Sequence, residues 1–297
     1  MDRDIASLWI GGTLGDIEIA SIHSFLRHGH RLTVYSYEPV SNLPSGVENR
    51  DAAEVLPTRR IVRHRRSGSP ALHSDLFRYA LVDRTDKIWV DLDIIALKKF
   101  DFETPYVFGF EDTAGSVNCA VFRMPRESAA LRELLKFNED TVATPPLLKG
   151  LRKWKYWLRG MGRGLPIDVW PWGSIGPHAL THFLRQTGEI RYAMPVDTFY
   201  AVPISEMTRF ITPGGLTLSE LPANAYGLHL WGGLMRAYLA EHHGGAYARG
   251  LIHGRSDRTS QKRRFNTLKC REFLASSLSL TDLGNDPSRL CLHHLPE

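Results

Sequence analysis

The sequence predicts an α/β fold organised on a mostly parallel sheet, and three stretches carry that expectation. Residues 7 to 12 (Ser-Leu-Trp-Ile-Gly-Gly), 17 to 29 and 31 to 37 (Arg-Leu-Thr-Val-Tyr-Ser-Tyr) read as strand, helix and strand. Ile19, Ile22, Phe25 and Leu26 form the helix's apolar side, and Gly29 is its stop. Residues 73 to 97 read as a second helix running into a strand. Ser74 stands as N-cap, Leu76, Phe77, Ala80 and Leu81 recur at helical spacing, and from Lys87 the pattern alternates. Tyr106 to Glu111 and Val117 to Arg123 then read as adjacent strands. Alternating strands and helices of this kind put helices over a parallel sheet, whose ligands gather at the carboxyl ends of its strands. Trp9 to Gly12 and Tyr37-Glu38 stand at such ends, Trp9 being either core or a neighbour of a bound base.

The chemistry concentrates in the second stretch. Ile88, Val90 and Leu92 point one way along the strand, and Trp89, Asp91 and Asp93 point the other. Two carboxylates are thus expected together at the end of an apolar strand, where they repel unless a cation or proton lies between them. A hard divalent ion, its shell completed by phosphate oxygens, suits such a pair. Asp75 and Arg78, three residues apart, share one side of the preceding helix's first turn.

Here a family resemblance enters. Ser74-Asp75-x-x-Arg78, followed by a strand ending Asp91-x-Asp93, resembles the sugar-nucleotide-dependent glycosyltransferases named for their DXD region. These include capsular and lipo-oligosaccharide transferases, α-galactosyl- and α-mannosyltransferases and, more distantly, the glucosylating domains of clostridial toxins. One departure stands out: the family often has Gly-Gly-x-Tyr before the pair, where this chain has Thr85-Asp86-Lys87-Ile88-Trp89. The resemblance implies a glycosyltransferase A type fold, a Rossmann-like nucleotide-binding sheet fused with an acceptor-binding half. It also implies Mn²⁺ or Mg²⁺ on Asp91 and Asp93, and a nucleotide-sugar donor, expected to be a UDP-sugar, near Ser74, Asp75, Arg78 and Asp91, with Arg78 expected to act in catalysis by adding fixed positive charge. By the same resemblance Trp9, Gly11 and Gly12 lie by the base, and Asn118 starts a strand near the donor. Gly176-Pro177 resembles the step that opens a helix after the acceptor loop, where Gly176 permits close backbone approach. His229-x-Trp231 resembles a motif near the end of the transferase core. His229 is the expected third metal ligand, with a core histidine as the alternative, and Trp231 is expected to close over the donor. Hexosyl transfer to a glycan, lipid-linked or other hydroxyl acceptor is implied, with retention. Front-face attack and a covalent intermediate on Glu111 or Asp112 both remain open.

The rest of the 297-residue chain fits around that centre. Composition is ordinary for a globular protein, with a net charge of +5 that suits an anionic donor, an anionic acceptor or an acidic membrane surface. Cys119, Cys270 and Cys291 suggest neither a disulfide framework nor a zinc site. The acidic start, Met-Asp-Arg-Asp, runs straight into a strand, and no apolar run is long enough to span a bilayer. A cytoplasmic protein, peripheral to a membrane at most, is expected. The basic run Arg59 to Arg66 reads as a solvated loop or helix face; it lacks interleaved aromatics, so nucleic acid is not expected. Ser128 to Asn138 reads as an amphipathic helix. Residues 149 to 165, basic and rich in Trp, read as a loop or lid packing its Trp residues inward, because Gly160, Gly162 and Gly164 break a long helix; a membrane-interface segment is the alternative. Residues 1 to 250 are expected to form the catalytic domain and 251 to 297 a basic loop and tail, with no metal spacing at His293-His294.

Two rivals compete with a transferase. Val90-Asp-Leu-Asp-Ile94 resembles the nucleophile strand of haloacid dehalogenase-type phosphatases, although that family places it on its first strand. A non-catalytic sugar- or protein-binding module on the same scaffold is the other.

Overall fold

The computed structural model describes residues 4–212 and 215–242. The expected tail, Cys270, Cys291 and the His293-His294 pair lie outside the described residues. The chain opens with β1 (Ile5–Trp9), α1 (Asp16–Arg27), β2 (Leu32–Ser36) and β3 (Val47–Asp51). α2 (Ala71–Arg84) leads into β4 (Ile88–Val90) and β5 (Ile94–Ala96), and β6 (Val107–Phe110) and β7 (Val117–Arg123) follow. α3 (Ala129–Leu134), β8 (Val142–Ala143), α4 (Gly150–Arg159), β9 (Leu165–Pro166), α5 (Pro177–Thr187), β10 (Gly227–His229) and α6 (Gly232–His242) complete the order.

The fold is mixed α/β with a six-stranded, mostly parallel central sheet in the order β3-β2-β1-β4-β7-β6. β3, β2, β1 and β4 are parallel neighbours, and β7 joins antiparallel between β4 and β6. Strand alternation sorts the core into two apolar layers. Ile5, Ile88 and Val90 pack with Ile17, Ile22 and Phe25 of α1 on one face. Ala6, Leu8 and Trp89 pack with Phe77 of α2, Leu131 of α3 and Leu180 of α5 on the other. The expected strands and helices of the first 123 residues are present with shifted ends.

Four expectations change. Helix α2 begins at Ala71 with Pro70 in the cap position, so Ser74 sits inside the helix. Proline, with its fixed φ, suits a helix start, and the first turn is built before Ser74 is reached. The strand of the second stretch stops at Val90: Ile94 N–H donates to Asp91 O (3.1 Å), closing a turn, and the chain leaves for a separate two-stranded sheet of β5 with β10. The third helix runs only from Ala129 to Leu134, capped by Ser128, whose Oγ accepts from Leu131 N–H. Residues 150–159 form a helix with no buried residue, so the expected inward-packed loop is not what the chain builds. The three glycines fall after that helix and turn the chain back from it, leaving its interior free of them.

Buried hydroxyls fix where β5 goes. Ser21 Oγ of α1 donates to Ile94 O (2.6 Å), and Ala96 N–H donates to Ser24 Oγ (2.8 Å). With Ser7 Oγ donating to Val90 O (2.6 Å) on the upstream side, the turn carrying Asp91 and Asp93 is held at both ends.

A second polar relay seats α2. Val62 N–H donates to His73 Nδ1 (3.4 Å), His73 Nε2 meets Tyr37 Oη (2.9 Å), and Tyr37 O–H donates to Leu56 O (2.8 Å). With Nδ1 accepting and the tyrosine proton committed, the imidazole is neutral and carries its proton on Nε2. Burial pushes the His73 pKa down to about 4, against a smaller upward pull from Glu139. Because the folded value lies below the ordinary 6.5, this group's contribution to stability is complete above about 6.5 and is lost as pH falls toward 4. Urea unfolding of the native protein against His73→Gln should show a stability difference that shrinks across that window. A difference independent of pH would contradict the relay.

Candidate functional site

The Asp91–Asp93 turn lies at the carboxyl end of β4, between α2, β7 and β10. Asp91 is fixed by its own strand and by α2: Trp89 Nε1–H donates to Asp91 Oδ1 (2.8 Å), and Arg78 Nη1 lies 3.1 Å from the same oxygen. The Arg78 guanidinium is 4.8 Å from the Trp89 ring centroid, its Nη2 is 3.3 Å from Asp75 Oδ1, Nε donates to Ser74 O (3.3 Å), and Nη1 donates to Cys119 O. Arg78 thus spends its donors on protein acceptors and positions Asp75 and Asp91. Burial raises Asp75 to about 6, with Arg78 pulling it down and Asp91 pushing it up. Asp91 is raised as well, by its surroundings foremost, with Arg78 opposing and Asp93 adding to the rise.

Asp93 answers to a different set of partners. Its Oδ2 accepts from Gly232 N–H (2.9 Å) and lies 3.3 Å from His229 Nε2. Burial works against its ionisation, but His229, the Gly232 amide and Arg236 together bring its pKa to about 2. Burial lowers His229, yet Asp93, Asp91 and Glu111 outweigh it and leave its pKa above the ordinary value. Asp93 Oδ1 and His229 Nδ1 are buried without a hydrogen-bond partner. Trp231, between these elements, holds a left-handed φ of +54°, rare for a bulky residue; its indole N–H donates to Val202 O (3.2 Å) and its ring lies 4.1 Å from the His229 ring. Gly232 follows at once, and a Cβ there would stand 3.1 Å from Asp93 Cβ.

These groups open on a cleft of about 980 Å³. Asp75, Arg78, Asp91, Asp93, Glu111, Asp112, Asn118, His229 and Trp231 all line it, so the structure brings most of the expected site residues together. Asn118 Nδ2 donates to Glu111 Oε2 (3.0 Å), which aims that carboxylate. Asp112 instead caps its own turn: Oδ1 accepts from Ser116 N–H (3.0 Å), and that amide chiefly lowers its pKa. Gly176 touches the site through its backbone, because a Cβ there would fall 2.6 Å from Asp75 Oδ2. Tyr79 of α2 holds this loop by donating its O–H to Ile175 O (2.7 Å). Ser74, Trp9, Gly11 and Gly12 are not among the cleft-lining residues. Ser74 contributes its carbonyl to Arg78. Trp9 is partly buried against the core at the end of β1, with its indole nitrogen unpartnered, and Gly12 O receives Ser41 N–H (2.9 Å). The roles of Trp89 and of the Gly232 amide were not legible beforehand. Trp89 stood out only as a departure from the family's tyrosine.

Among the described residues no three His, Cys, Asp or Glu side chains form a ready-made metal cage. His229 faces Asp93 through Nε2, 3.3 Å from its Oδ2, and so stands beside the expected metal position as that carboxylate's partner. The pair of aspartates remains a fit for a cation whose other ligands come from a bound molecule: Asp93 Oδ1 is an orphaned acceptor, and Asp75 and Asp91 share one arginine. No family model and no curated protein matches the chain.

Two substitutions test this geometry. Trp89→Phe keeps the ring and removes the donor, and should cost about 1–3 kcal/mol of unfolding free energy. In a double-mutant cycle with Asp91→Asn by urea denaturation the two losses should fall short of additive; strict additivity would mean that Trp89 does not hold Asp91. Gly176→Ala must displace either the loop or Asp75 and should cost about 1–3 kcal/mol. A loss below about 0.5 kcal/mol, as at an ordinary surface position, would show that the loop gives way freely.

Proposed function

We propose that the protein is a metal-dependent glycosyltransferase of the glycosyltransferase A type, moving a hexosyl group from a nucleotide sugar, a UDP-sugar foremost, to a hydroxyl of a glycan or lipid-linked acceptor. The observation that carries the reading is the meeting of Asp75, Arg78, Asp91 and Asp93 at the carboxyl end of a parallel strand, in one cleft with Glu111 and Asn118. Open α/β sheets bind nucleotides at such strand ends. Asp91 and Asp93 would hold Mn²⁺ or Mg²⁺, which supplies positive charge for the diphosphate as it leaves. Arg78 keeps Asp75 and Asp91 in place, leaving Asp75 to meet donor hydroxyls. Glu111, aimed by Asn118, is better placed than the turn-capping Asp112 to face the sugar carbon or the attacking hydroxyl. The position of Asp91 after the fourth strand, behind a complete strand–helix–strand unit, supports this reading over the phosphatase.

A panel of nucleotide sugars, incubated with and without Mn²⁺, tests it through release of free nucleotide. One or more donors should be hydrolysed slowly and only with metal. Asp91→Asn and Asp93→Asn should each lower the rate by about 100-fold or more while the melting transition survives. Metal-independent release, or a phosphorylated Asp91 trapped with a phosphoryl donor, would sink the transferase reading.

A further inference from the structure

Residues 142–166 make an excursion from the body. The ribbon of β8 and β9 pairs Val142 with Pro166 and Ala143 with Leu165, and α4 stands between its arms. At 100° per residue, Leu151, Trp154, Trp157 and Leu158 fall in one arc of roughly 120° around α4. Lys153 and Lys155 border that arc on its two sides, and Arg152 and Arg159 lie behind it. An amphipathic helix of a globular domain turns such an arc to the core; this one does the reverse. Leu151 is 76% exposed, Trp154 57%, Trp157 47%, Leu158 46%, and Met161 just beyond the helix 89%. Between Asp140 and Asp168 the chain has no acidic residue, while Lys149, Arg152, Lys153, Lys155, Arg159 and Arg163 are all cationic.

We propose that α4 is a membrane-docking helix that lays its Trp154–Trp157 face into the headgroup region of an anionic bilayer. Tryptophan on an apolar arc bordered by lysines is the arrangement that gains both from burial among acyl chains and from attraction to anionic lipid. Charge decides the kind of surface, since a segment carrying cations and no anion is complementary to acidic headgroups. Single-stranded nucleic acid fits less well, because a stacking groove puts aromatics and cations side by side, whereas the two tryptophans of α4 lie together on the apolar arc and Tyr156 alone stands among the cations, beside Arg159. The position of the helix also matters: Lys149, its N-cap, lines the cleft, as does the exposed Trp172. A docked α4 would therefore hold the cleft mouth close to the bilayer. The inference does not depend on the transferase reading, because docking requires neither donor nor metal.

Co-sedimentation of the full chain with vesicles tests it, using phosphatidylcholine alone and phosphatidylcholine mixed with phosphatidylglycerol. The native protein should partition onto the anionic vesicles and not onto neutral ones, with binding reduced by salt. Trp154→Ser/Trp157→Ser and Lys153→Gln/Lys155→Gln should each weaken partitioning by about tenfold. Both variants change exposed side chains only, so an unchanged melting temperature serves as the folding control. Absence of binding to anionic vesicles, or full binding by the double tryptophan variant, would overturn the proposal. So would a native dimer in sedimentation velocity that the tryptophan variant converts to monomer, since a second copy would then cover the face.

Discussion

The site depends on one buried guanidinium. Arg78 is 4% exposed and ties together three elements: Ser74 and Asp75 on its own helix, Asp91 after β4, and the Cys119 carbonyl of β7. A buried charge is tolerated only with partners that repay its desolvation, and removing one partner leaves the others uncompensated. Helix α2 therefore has to cross the sheet where a carboxylate of the turn and a carbonyl of β7 both come within reach. Trp89 completes the arrangement from beneath, with its ring against the guanidinium and its N–H on Asp91. The same contacts that stabilise the helix–sheet packing also set the positions of Asp75 and Asp91, so fold and site share their energetics here.

The part of this that was legible in the sequence is the part written in short-range pattern. The strand–helix–strand opening, the strand at Val117–Arg123 and the helix opened by Pro177 all carry periodicity or a start signal, and each is present. Asp75, Arg78, Asp91 and Asp93 were identifiable because they recur at fixed offsets within that pattern. What misled was the assumption that alternation continues through Asp91 and Asp93. Aspartates favour turns as readily as strand ends, and only the pairing of β5 with β10, which sets Ile94 opposite His229 across 135 residues of sequence, decides that the chain leaves the sheet after Val90. Ser74 failed as a cap for a simpler reason: proline starts the helix a turn earlier.

Long-range partners were the least legible feature. His229 was expected beside the aspartates only through the family resemblance, and nothing near Asp93 in sequence announces that Gly232 will donate to it or that Arg236 will add charge while pairing with Glu18 of α1 at 2.7 Å. The left-handed Trp231 is likewise invisible to propensity, because a tryptophan at positive φ is what propensity argues against. Such strain persists where surrounding contacts over-determine it, as the Val202 hydrogen bond and the His229 ring do here.

The charge pattern separates steering from binding. The whole chain carries +5, which favours the approach of an anion over long range. The floor of the cleft has the opposite sign: Asp75, Asp91, Asp93 and Glu111 gather around Arg78 and His229, and Arg78 is already paired with two of the acids. A diphosphate drawn toward the protein would meet carboxylates at the end of its path. The crowding shows in the raised pKa values of Asp75 and Asp91, while Asp93, against the cost of its burial, is brought down to about 2 by His229, the Gly232 amide and Arg236. On the proposed reading, a cation between aspartates and phosphates would relieve that conflict, satisfying the orphaned Asp93 oxygen and the ligand together. On this argument the metal and the anionic ligand should bind cooperatively, each weakly without the other, because neither alone neutralises the cleft.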